Sequence, residues 1–197
     1  MIKRIFDFIF SLLFIIILSP ILLIIALIIL IDSKGGIIFT QKRVGKNNID
    51  FNIYKFRTMH VGSDEKGLLT IGAKDNRVTR AGFFLRKYKL DELPQLFNVV
   101  IGNMSFVGPR PEVRRYVELY NSEQLKVFNA KPGITDFASI DYANENEILA
   151  RSANPEDTYI KTVMPAKLEL NLKYIREQNF STDVKIIFKT IRKVFFG

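Results

Sequence analysis

A long apolar segment opens the chain. Of the 24 residues at positions 8–31, only Ser11, Ser19 and Pro20 are not apolar. An uncharged run of this length is typical of a membrane segment. As a straight helix it would reach about 36 Å, which is enough to cross a hydrocarbon core of about 30 Å. No small-residue cleavage site follows the run, so we do not interpret it as a cleaved signal peptide.

The Ser19-Pro20 pair at the midpoint leaves two topologies open. Pro20 lacks an N–H group and clashes with the carbonyl four residues earlier, and each half alone, about 18 Å long, is too short to cross. Basic residues flank the segment on both sides: Lys3 and Arg4 before it, and Lys34, Lys42, Arg43 and Lys46 after it. A re-entrant helix kinked at Ser19-Pro20 keeps both flanks on the cytoplasmic side, as the positive-inside rule favours. A kinked spanning helix is the alternative, because membrane helices tolerate proline.

Short periodic segments follow, and they predict an α+β domain that is mostly helical. Short β-type runs, rich in β-branched and aromatic residues, at 37–41 and 51–56 indicate two strands, and the polar sequence GKNN at 45–48 indicates a hairpin turn between them. Helices are predicted at 81–89, 93–100, 112–120, 144–151, 166–176 and 182–196. We therefore divide the chain into a membrane helix, 1–32, and a cytoplasmic catalytic domain, 33–197.

The last predicted helix is amphipathic and basic. Val184, Ile187 and Ile191 fall on one stripe, while Lys185 and Lys189 lie mostly off it. Such a helix can rest on an anionic membrane surface. The same pattern also suits an ordinary helix that packs against a core.

Charge and composition narrow the classes of function. The chain carries 29 Lys+Arg against 20 Asp+Glu, a net charge of +9, which implies an anionic partner such as nucleic acid, a phosphate-bearing ligand or anionic lipid. The chain has no cysteine, and His60 is its one histidine. This composition excludes thiolate nucleophiles, Cys-ligated zinc and multi-His metal sites. The apolar segment, and the lack of a basic motif interleaved with aromatic residues, argue against nucleic acid.

The candidate chemistry centres on two adjacent carboxylates, Asp91 and Glu92. Because Pro94 belongs in the first turn of the following helix, Asp91 is predicted at or near its N-cap, where the helix dipole stabilises a carboxylate. A simple cap is the ordinary explanation of such a pair. The surrounding charge favours more than a cap, because candidate cations lie on both sides of the pair in sequence: Lys55, Arg57, Arg86, Lys87, Lys89 and Arg110.

Carboxylates surrounded by cations suit phosphoryl chemistry. Arginine binds phosphate oxygens bidentately, a carboxylate pair can hold Mg²⁺, and an aspartate can attack phosphorus. Neither a P-loop nor a dinucleotide-binding glycine motif is present. The residues therefore predict a membrane-bound, Mg²⁺-dependent enzyme that acts on a phosphate or diphosphate, and they leave its substrate open.

Several motifs are similar to those of monotopic phosphoglycosyl transferases, in the bacterial sugar transferase family. Besides the apolar segment with Ser19-Pro20, they are KFRTM at 55–59, LDELPQLFNV at 90–99, GNMSFVGPRP at 102–111, KPGIT at 131–135 and TDVK at 182–185. The run DELPQL followed closely by MSFVGPRP is the most specific. The resemblance covers nearly the whole chain.

The resemblance implies a two-step transfer. Asp91 would attack the sugar-bearing phosphate of a UDP-sugar and release UMP, and polyprenyl phosphate, usually undecaprenyl phosphate, would then take the phosphosugar. Mg²⁺ would be held by Asp91 and Glu92, and Glu92 could also handle a proton. Further residues are implied as phosphate or substrate contacts near the site: Lys55, Arg57, Arg86, Arg110 and Asp183.

The resemblance also implies a location and partners. The membrane helix would be re-entrant, on the cytoplasmic face of the bacterial inner membrane, with the domain's amphipathic helices in contact with anionic lipid around the active site. No nucleic-acid partner is expected, and the assembly state, including a homodimer, is left open.

Some positions depart from the family pattern and weaken parts of this interpretation. Asn103 stands where an acid is common, and the region 136–165 differs in sequence and is longer and more acidic than usual. The identity of the sugar and the nucleotide contacts are therefore not predicted. A non-catalytic basic module that binds the lipid surface is the rival hypothesis.

Overall fold

The computed structural model describes residues 2–63, 67, 69–70 and 75–196. A single helix, α1 (Ile2–Asp32), contains the whole apolar segment and continues through Pro20. Because Pro20 has no N–H, the carbonyl of Ile16 loses its usual helical donor. The hydroxyl of Ser19 donates to that carbonyl at 2.8 Å, so the serine compensates for the proline that follows it. By length and composition, the 31-residue α1 is able to cross a membrane.

The first turns of α1 are fastened to the rest of the molecule by polar side chains. The guanidinium of Arg4 donates to the carbonyls of Val99 and Val100. Asp7 is buried and accepts a hydrogen bond from the backbone N–H of Phe106 at 3.3 Å. Arg4 and Asp7, the charged residues just before the apolar run, therefore hold the start of α1 against the domain.

The far end of α1 also packs on the domain. Ile25 and Ile29 are buried against Phe56 and Leu85. The carboxylate of Asp32 accepts a hydrogen bond from the N–H of Ala81 at 3.0 Å, at the start of α2. Both ends of α1 thus contact one body, while most of the large apolar side chains between them are exposed.

The remaining elements are short. The strands are β1 (Ile38–Val44), β2 (Asp50–Phe56), β3 (Ser105–Val107) and β4 (Gly133–Thr135). The helices are α2 (Arg80–Lys87), α3 (Gln95–Ile101), α4 (Arg114–Val117), α5 (Phe137–Asp141), α6 (Glu145–Ala150), α7 (Pro155–Thr158), α8 (Met164–Glu177) and α9 (Phe180–Phe196). Single turns of 3-10 helix span Lys46–Asn48, Leu90–Glu92 and Gln124–Asn129, and a π-helical turn, Tyr159–Val163, leads into α8.

The predicted hairpin is confirmed. Strands β1 and β2 pair antiparallel, with Thr40 opposite Tyr54. The turn passes through Asn47 and Asn48, whose φ angles of 58° and 61° lie in the left-handed region that asparagine tolerates better than most residues. The hairpin places Lys55 on β2 within hydrogen-bonding distance of Glu92.

A second, parallel sheet was not predicted. Strand β3 pairs with β4 at Ser105–Gly133 and Val107–Thr135. A Cβ on Gly133 would lie 2.1 Å from the N of Gly108, so only glycine lets the two backbones approach this closely. With three residues each, these strands are too short to show an alternating pattern in the sequence.

The predicted helices at 81–89, 93–100 and 182–196 correspond to α2, α3 and α9. The prediction of a helix over 112–120 was too long, because α4 has four residues. Helix α9 packs through the fully buried Ile186, whereas Phe188 on the apolar stripe is 68% exposed. Part of the stripe therefore remains uncovered by the domain itself.

Candidate active site

The two carboxylates lie in a tight turn between α2 and α3. Lys89 adopts a left-handed conformation, with φ of 56°, and this reverses the chain into the 3-10 turn Leu90–Glu92. Pro94, not Asp91, holds the N-cap position of α3, so Asp91 lies one turn ahead of the predicted place. Asp91 and Glu92 are each 7% exposed.

Glu92 is held by two cations from separate elements. Its Oε1 accepts from Lys55 Nζ at 2.8 Å and from Arg110 Nη2 at 2.6 Å, and its Oε2 accepts from Arg110 Nη1 at 3.4 Å. Burial by itself raises the pKa of Glu92, but the charges of Arg110 and Lys55 outweigh burial and hold this pKa well below its ordinary value. Glu92 is therefore a fixed anion that joins β2 to the loop after β3.

Asp91 has the opposite environment. Its Oδ1 is buried and has no hydrogen-bond partner among the described residues. Burial raises the pKa of Asp91, and the neighbouring charge of Lys55 only partly opposes this. A carboxylate oxygen left unpaired in a buried site is unusual and marks the position where a ligand atom can be accommodated.

Arg110 is positioned through its backbone as well as its side chain. It lies between Pro109 and Pro111, and its N–H donates to Asp136 Oδ2 at 3.1 Å. Asp136 is fully buried and also accepts from the N–H of Ser139 at 2.6 Å, which caps α5. The sequence marked Asp136 as a departure from the family pattern, but it did not indicate that this residue holds Arg110.

The carboxylates line a cleft of about 1260 Å³. Of the predicted site residues, the structure brings together Lys55, Arg86, Asp91, Glu92 and Arg110 along its walls. The guanidinium of Arg86 donates to Thr70 Oγ1 at 2.7 Å, and burial lowers the pKa of Arg86. Residues of α1, α5, α6, α8 and α9 complete the cleft, including Phe14, Leu18 and Ile191, so its apolar part adjoins the apolar helix.

Arg57 occupies a different place from the predicted one. It follows the end of β2 and is 7% exposed, and its guanidinium donates to the carbonyls of Ser33, Lys34 and Gly36. Arg57 is therefore not brought to the cleft wall with Lys55, because its guanidinium fixes the chain that leaves α1.

Asp183 also lies outside the cleft walls. It belongs to the first turn of α9, where it pairs with Lys3 and accepts from the hydroxyl of Tyr174 at 2.7 Å. The same hydroxyl donates to the carbonyl of Val107 at 3.1 Å. Asp183 thus ties together the beginnings of α1 and α9, which are far apart in the sequence.

The two carboxylates fit a magnesium ion only if the substrate and water supply most of its ligands. Within the described part of the chain, no group of three or more His, Cys, Asp or Glu is arranged to hold a metal ion. The carboxylate of Asp91, whose Oδ1 is unpaired among the described residues, and the Oε2 of Glu92, which accepts one long hydrogen bond of 3.4 Å, offer oxygen ligands. Mg²⁺ commonly takes one or two carboxylates and completes its shell with water and substrate phosphates.

A buried carboxylate pair among cations, beside a long apolar helix, has the charge and the donor groups that suit a phosphate-bearing ligand. The chain belongs to the bacterial sugar transferase family, whose model matches residues 1–197.

Relatives with assigned names are similar over almost the whole chain. It is 39% identical to a UDP-N-acetylgalactosamine-undecaprenyl-phosphate N-acetylgalactosaminephosphotransferase of Aeromonas hydrophila, over 100% of this chain and 44% of the relative. It is also 39% identical to a UDP-glucose:undecaprenyl-phosphate glucose-1-phosphate transferase of Klebsiella pneumoniae, over 99% of this chain and 40% of the relative. An uncharacterized sugar transferase, EpsL, of Bacillus subtilis is 34% identical, over 98% of this chain and 86% of the relative. The chain thus spans less than half the length of the first two.

Proposed function

We propose that this protein transfers a sugar 1-phosphate from a UDP-sugar to undecaprenyl phosphate. The observation that carries the proposal is the buried, unpaired carboxylate oxygen of Asp91, which lies in a cleft lined by Lys55, Arg86 and Arg110. The substrate classes come from the names of the two relatives that match 99% or more of this chain.

In the first step, an oxygen of Asp91 attacks the phosphorus that bears the sugar. A new O–P bond forms, the bond from that phosphorus to the bridging oxygen breaks, and UMP leaves with the electron pair. Asp91 must be ionised to attack, so its raised pKa makes the step slower at acid pH. Incoming phosphate charge is balanced by Arg86 and Lys55, which line the same cleft.

In the second step, a phosphate oxygen of the polyprenyl phosphate attacks the same phosphorus. The bond to Asp91 breaks, which regenerates the carboxylate and releases polyprenyl-diphosphate-sugar. Because the two substrates react in turn, one phosphate site near Arg110 can serve both.

Glu92 orients the cations in this scheme. By accepting from both Lys55 and Arg110, it fixes their positions before any phosphate binds, and such preorganisation is a main source of catalytic power. Asp91 and Glu92 would hold Mg²⁺, which when bound would neutralise diphosphate charge.

The membrane topology belongs to the same proposal. Arg4 and Asp32, near opposite ends of α1, both contact the domain that carries the site. A helix that crossed the bilayer would place one of these ends on the far side, so the contacts favour the re-entrant topology. The exposed Phe188 on α9 would face the same membrane surface, with the domain on its cytoplasmic side.

The proposal is tested by incubating the full-length protein in membranes with Mg²⁺, polyprenyl phosphate and a panel of UDP-sugars. We expect release of UMP with one or more of these sugars, together with a lipid-linked product. Release of UDP instead would indicate an ordinary glycosyl transfer. The absence of any product across the panel would leave the rival interpretation, a lipid-binding module.

A further inference from the structure

The cleft extends from the carboxylates to an end that is largely aromatic. We call it the tyrosine end, and it is formed by Tyr116, Tyr120, Tyr159, Leu168 and Asn171. The three tyrosines and Leu168 pack in one hydrophobic cluster. A small second cavity is walled jointly by Arg110, Tyr120 and Asn171, so the tyrosine end begins next to Arg110.

Asn171 is a buried polar residue beside this hydrophobic cluster. It lies on the inward face of α8, between Leu168 and Tyr174, and is 4% exposed. Its side-chain oxygen is buried and finds no hydrogen-bond partner among the residues described. A buried carboxamide without partners is costly for the fold, and an apolar residue of similar size would avoid that cost. A ligand that pairs with the amide would compensate for it.

The hydroxyl of Tyr159 and the charged side chains near this end are already engaged. The hydroxyl of Tyr159 donates to Glu112, which also accepts from Arg43 at 3.1 Å. Lys167 pairs with Glu145 at 2.6 Å. Because the walls here are mainly aromatic rings and Leu168, they suit the part of a ligand that has apolar faces and a short polar edge, as a nucleobase has, better than a hexose, whose hydroxyls point outward all round the ring.

The in-line geometry of phosphoryl transfer also places the nucleotide at the tyrosine end. In phosphoryl transfer the attacking and leaving oxygens lie roughly in line, so the leaving nucleotide extends away from Asp91. Arg110 contacts Glu92 on one side and shares a cavity with Asn171 on the other. A nucleotide that passes Arg110 thus arrives at the tyrosine end. Polar residues from the end of α5 to the start of α6, such as Asp141 and Asn144, also line the cleft and offer partners for the sugar.

We infer that Asn171 recognises the pyrimidine base of the donor nucleotide, with its carboxamide paired to the imide edge of uracil and the base in the cleft against the tyrosine end. A carboxamide offers one donor and one acceptor side by side, which complement the N3–H and a neighbouring carbonyl of that base. The inference rests on the proposed function and adds a specificity residue to it.

The test measures binding of nucleotide fragments to the full-length protein in lipid nanodiscs by calorimetry. In Asn171→Leu we expect the affinity for UMP to fall about tenfold, the effect of about one hydrogen bond, while the affinity for ribose 5-phosphate stays the same. We expect the melting temperature of this variant to be unchanged or higher, because the unpaired amide is gone. A structural role alone would lower it and would spare UMP.

A probe altered at the base tests the pairing without any mutation. UMP methylated at N3 has lost the imide proton, so it should bind the wild type about tenfold more weakly than UMP does and Asn171→Leu no more weakly than UMP does. Ser105→Ala is the matched control: Ser105 Oγ is also buried without a partner among the described residues, but Ser105 is not part of the cleft wall. We expect UMP binding to be unchanged in this control.

Two results would overturn the inference. One is equal binding of UMP and its N3-methyl derivative to the wild type. The other is unchanged UMP affinity in Asn171→Leu with a raised KM for the UDP-sugar, which would place the sugar at this end. Both measurements of fragment binding are independent of turnover, so a wild-type protein that binds UMP through Asn171 but transfers no sugar would count against the proposed function alone.

Discussion

At the scale of single residues, two adjacent carboxylates differ because of their partners. Glu92 is bound by Lys55 and Arg110, and its pKa is held well below its ordinary value. Asp91 has one oxygen without a described partner, and burial raises its pKa. The pair therefore combines a permanent anion that organises cations with a carboxylate that is free to react.

Replacing Glu92 tests the structural half of this division. In Glu92→Gln we expect the free energy of unfolding to fall by about 3 kcal/mol, because Lys55 and Arg110 lose the charge that compensates for their burial. Urea denaturation in detergent measures this difference. The same substitution at Glu123, whose pair with Lys126 is exposed, should change stability little.

The pH dependence of that loss has a definite sign. The folded pKa of Glu92 is depressed, so its stabilising contribution is present above the unfolded value near 4.5 and is lost as the pH falls through the folded value. The gap between wild type and Glu92→Gln should be constant above about pH 4.5 and should narrow below it. A gap that widened on acidification would contradict the assigned cause.

At the scale of elements, the pattern of apolar residues was sufficient to predict α2, α3, α9 and the β1–β2 hairpin, because each of these elements buries one face. It failed for β3 and β4, whose pairing depends on a contact between residues distant in sequence. Periodicity says nothing about Arg57 and Asp183. Charge suggested Arg57 for the site, but its guanidinium binds backbone carbonyls, and Asp183, which the family resemblance implied near the site, pairs with Lys3 outside the cleft wall. In the cleft, the sequence indicated the residues that carry charge, whereas the amide of Asn171 gave no recognisable signal.

The second sheet provides a prediction at this scale. In Gly133→Ala, the added Cβ would lie 2.1 Å from the N of Gly108, an approach that backbone atoms cannot accommodate without movement. We expect a loss of about 3 kcal/mol in the free energy of unfolding. Transfer activity should also fall, because the N–H of Gly133 donates to the carbonyl of Pro109, next to Arg110.

Gly36→Ala is the control for that substitution. A Cβ at Gly36 has the carbonyl oxygen of Ile38 as its nearest neighbour, 3.8 Å away, so we expect stability and activity close to those of the wild type. If both glycine variants behaved alike, the close contact between β3 and β4 would not be what requires glycine at position 133.

At the scale of the whole molecule, α1 packs as a part of the domain, and under the proposed function it is also the domain's contact with lipid. Polar side chains near its start and buried isoleucines near its end pack on the body, and side chains such as Ile16 and Leu23 between them are 62% and 66% exposed. The kink expected at Ser19-Pro20 stays a prediction, because α1 is one helix that continues through Pro20. The sequence did not foresee that Lys3 and Arg4 are engaged in contacts with the domain.

Cysteine labelling tests this arrangement, because the chain contains no native cysteine. Ile2 and Ile31 are 83% and 87% exposed, and they lie at opposite ends of α1. We expect Ile2→Cys and Ile31→Cys both to react with a membrane-impermeant maleimide in inside-out vesicles and neither to react in intact cells stripped of their wall. Val61→Cys, on an exposed loop of the domain, reports the side on which the domain lies. Labelling of Ile2→Cys and Ile31→Cys from opposite sides would establish a spanning helix.

The central claim is that Asp91 becomes esterified to the phosphosugar, and intact-mass spectrometry tests it most directly. The whole chain is incubated with Mg²⁺ and the UDP-sugar that supports turnover, without lipid acceptor. The reaction is then quenched, and the mass of the intact protein and of its digested peptides is measured. The account predicts a mass increase of one sugar phosphate on the peptide that contains Asp91, its loss on addition of polyprenyl phosphate, and neither adduct nor turnover in Asp91→Asn. An active enzyme without the adduct, together with normal turnover by Asp91→Asn, would contradict it.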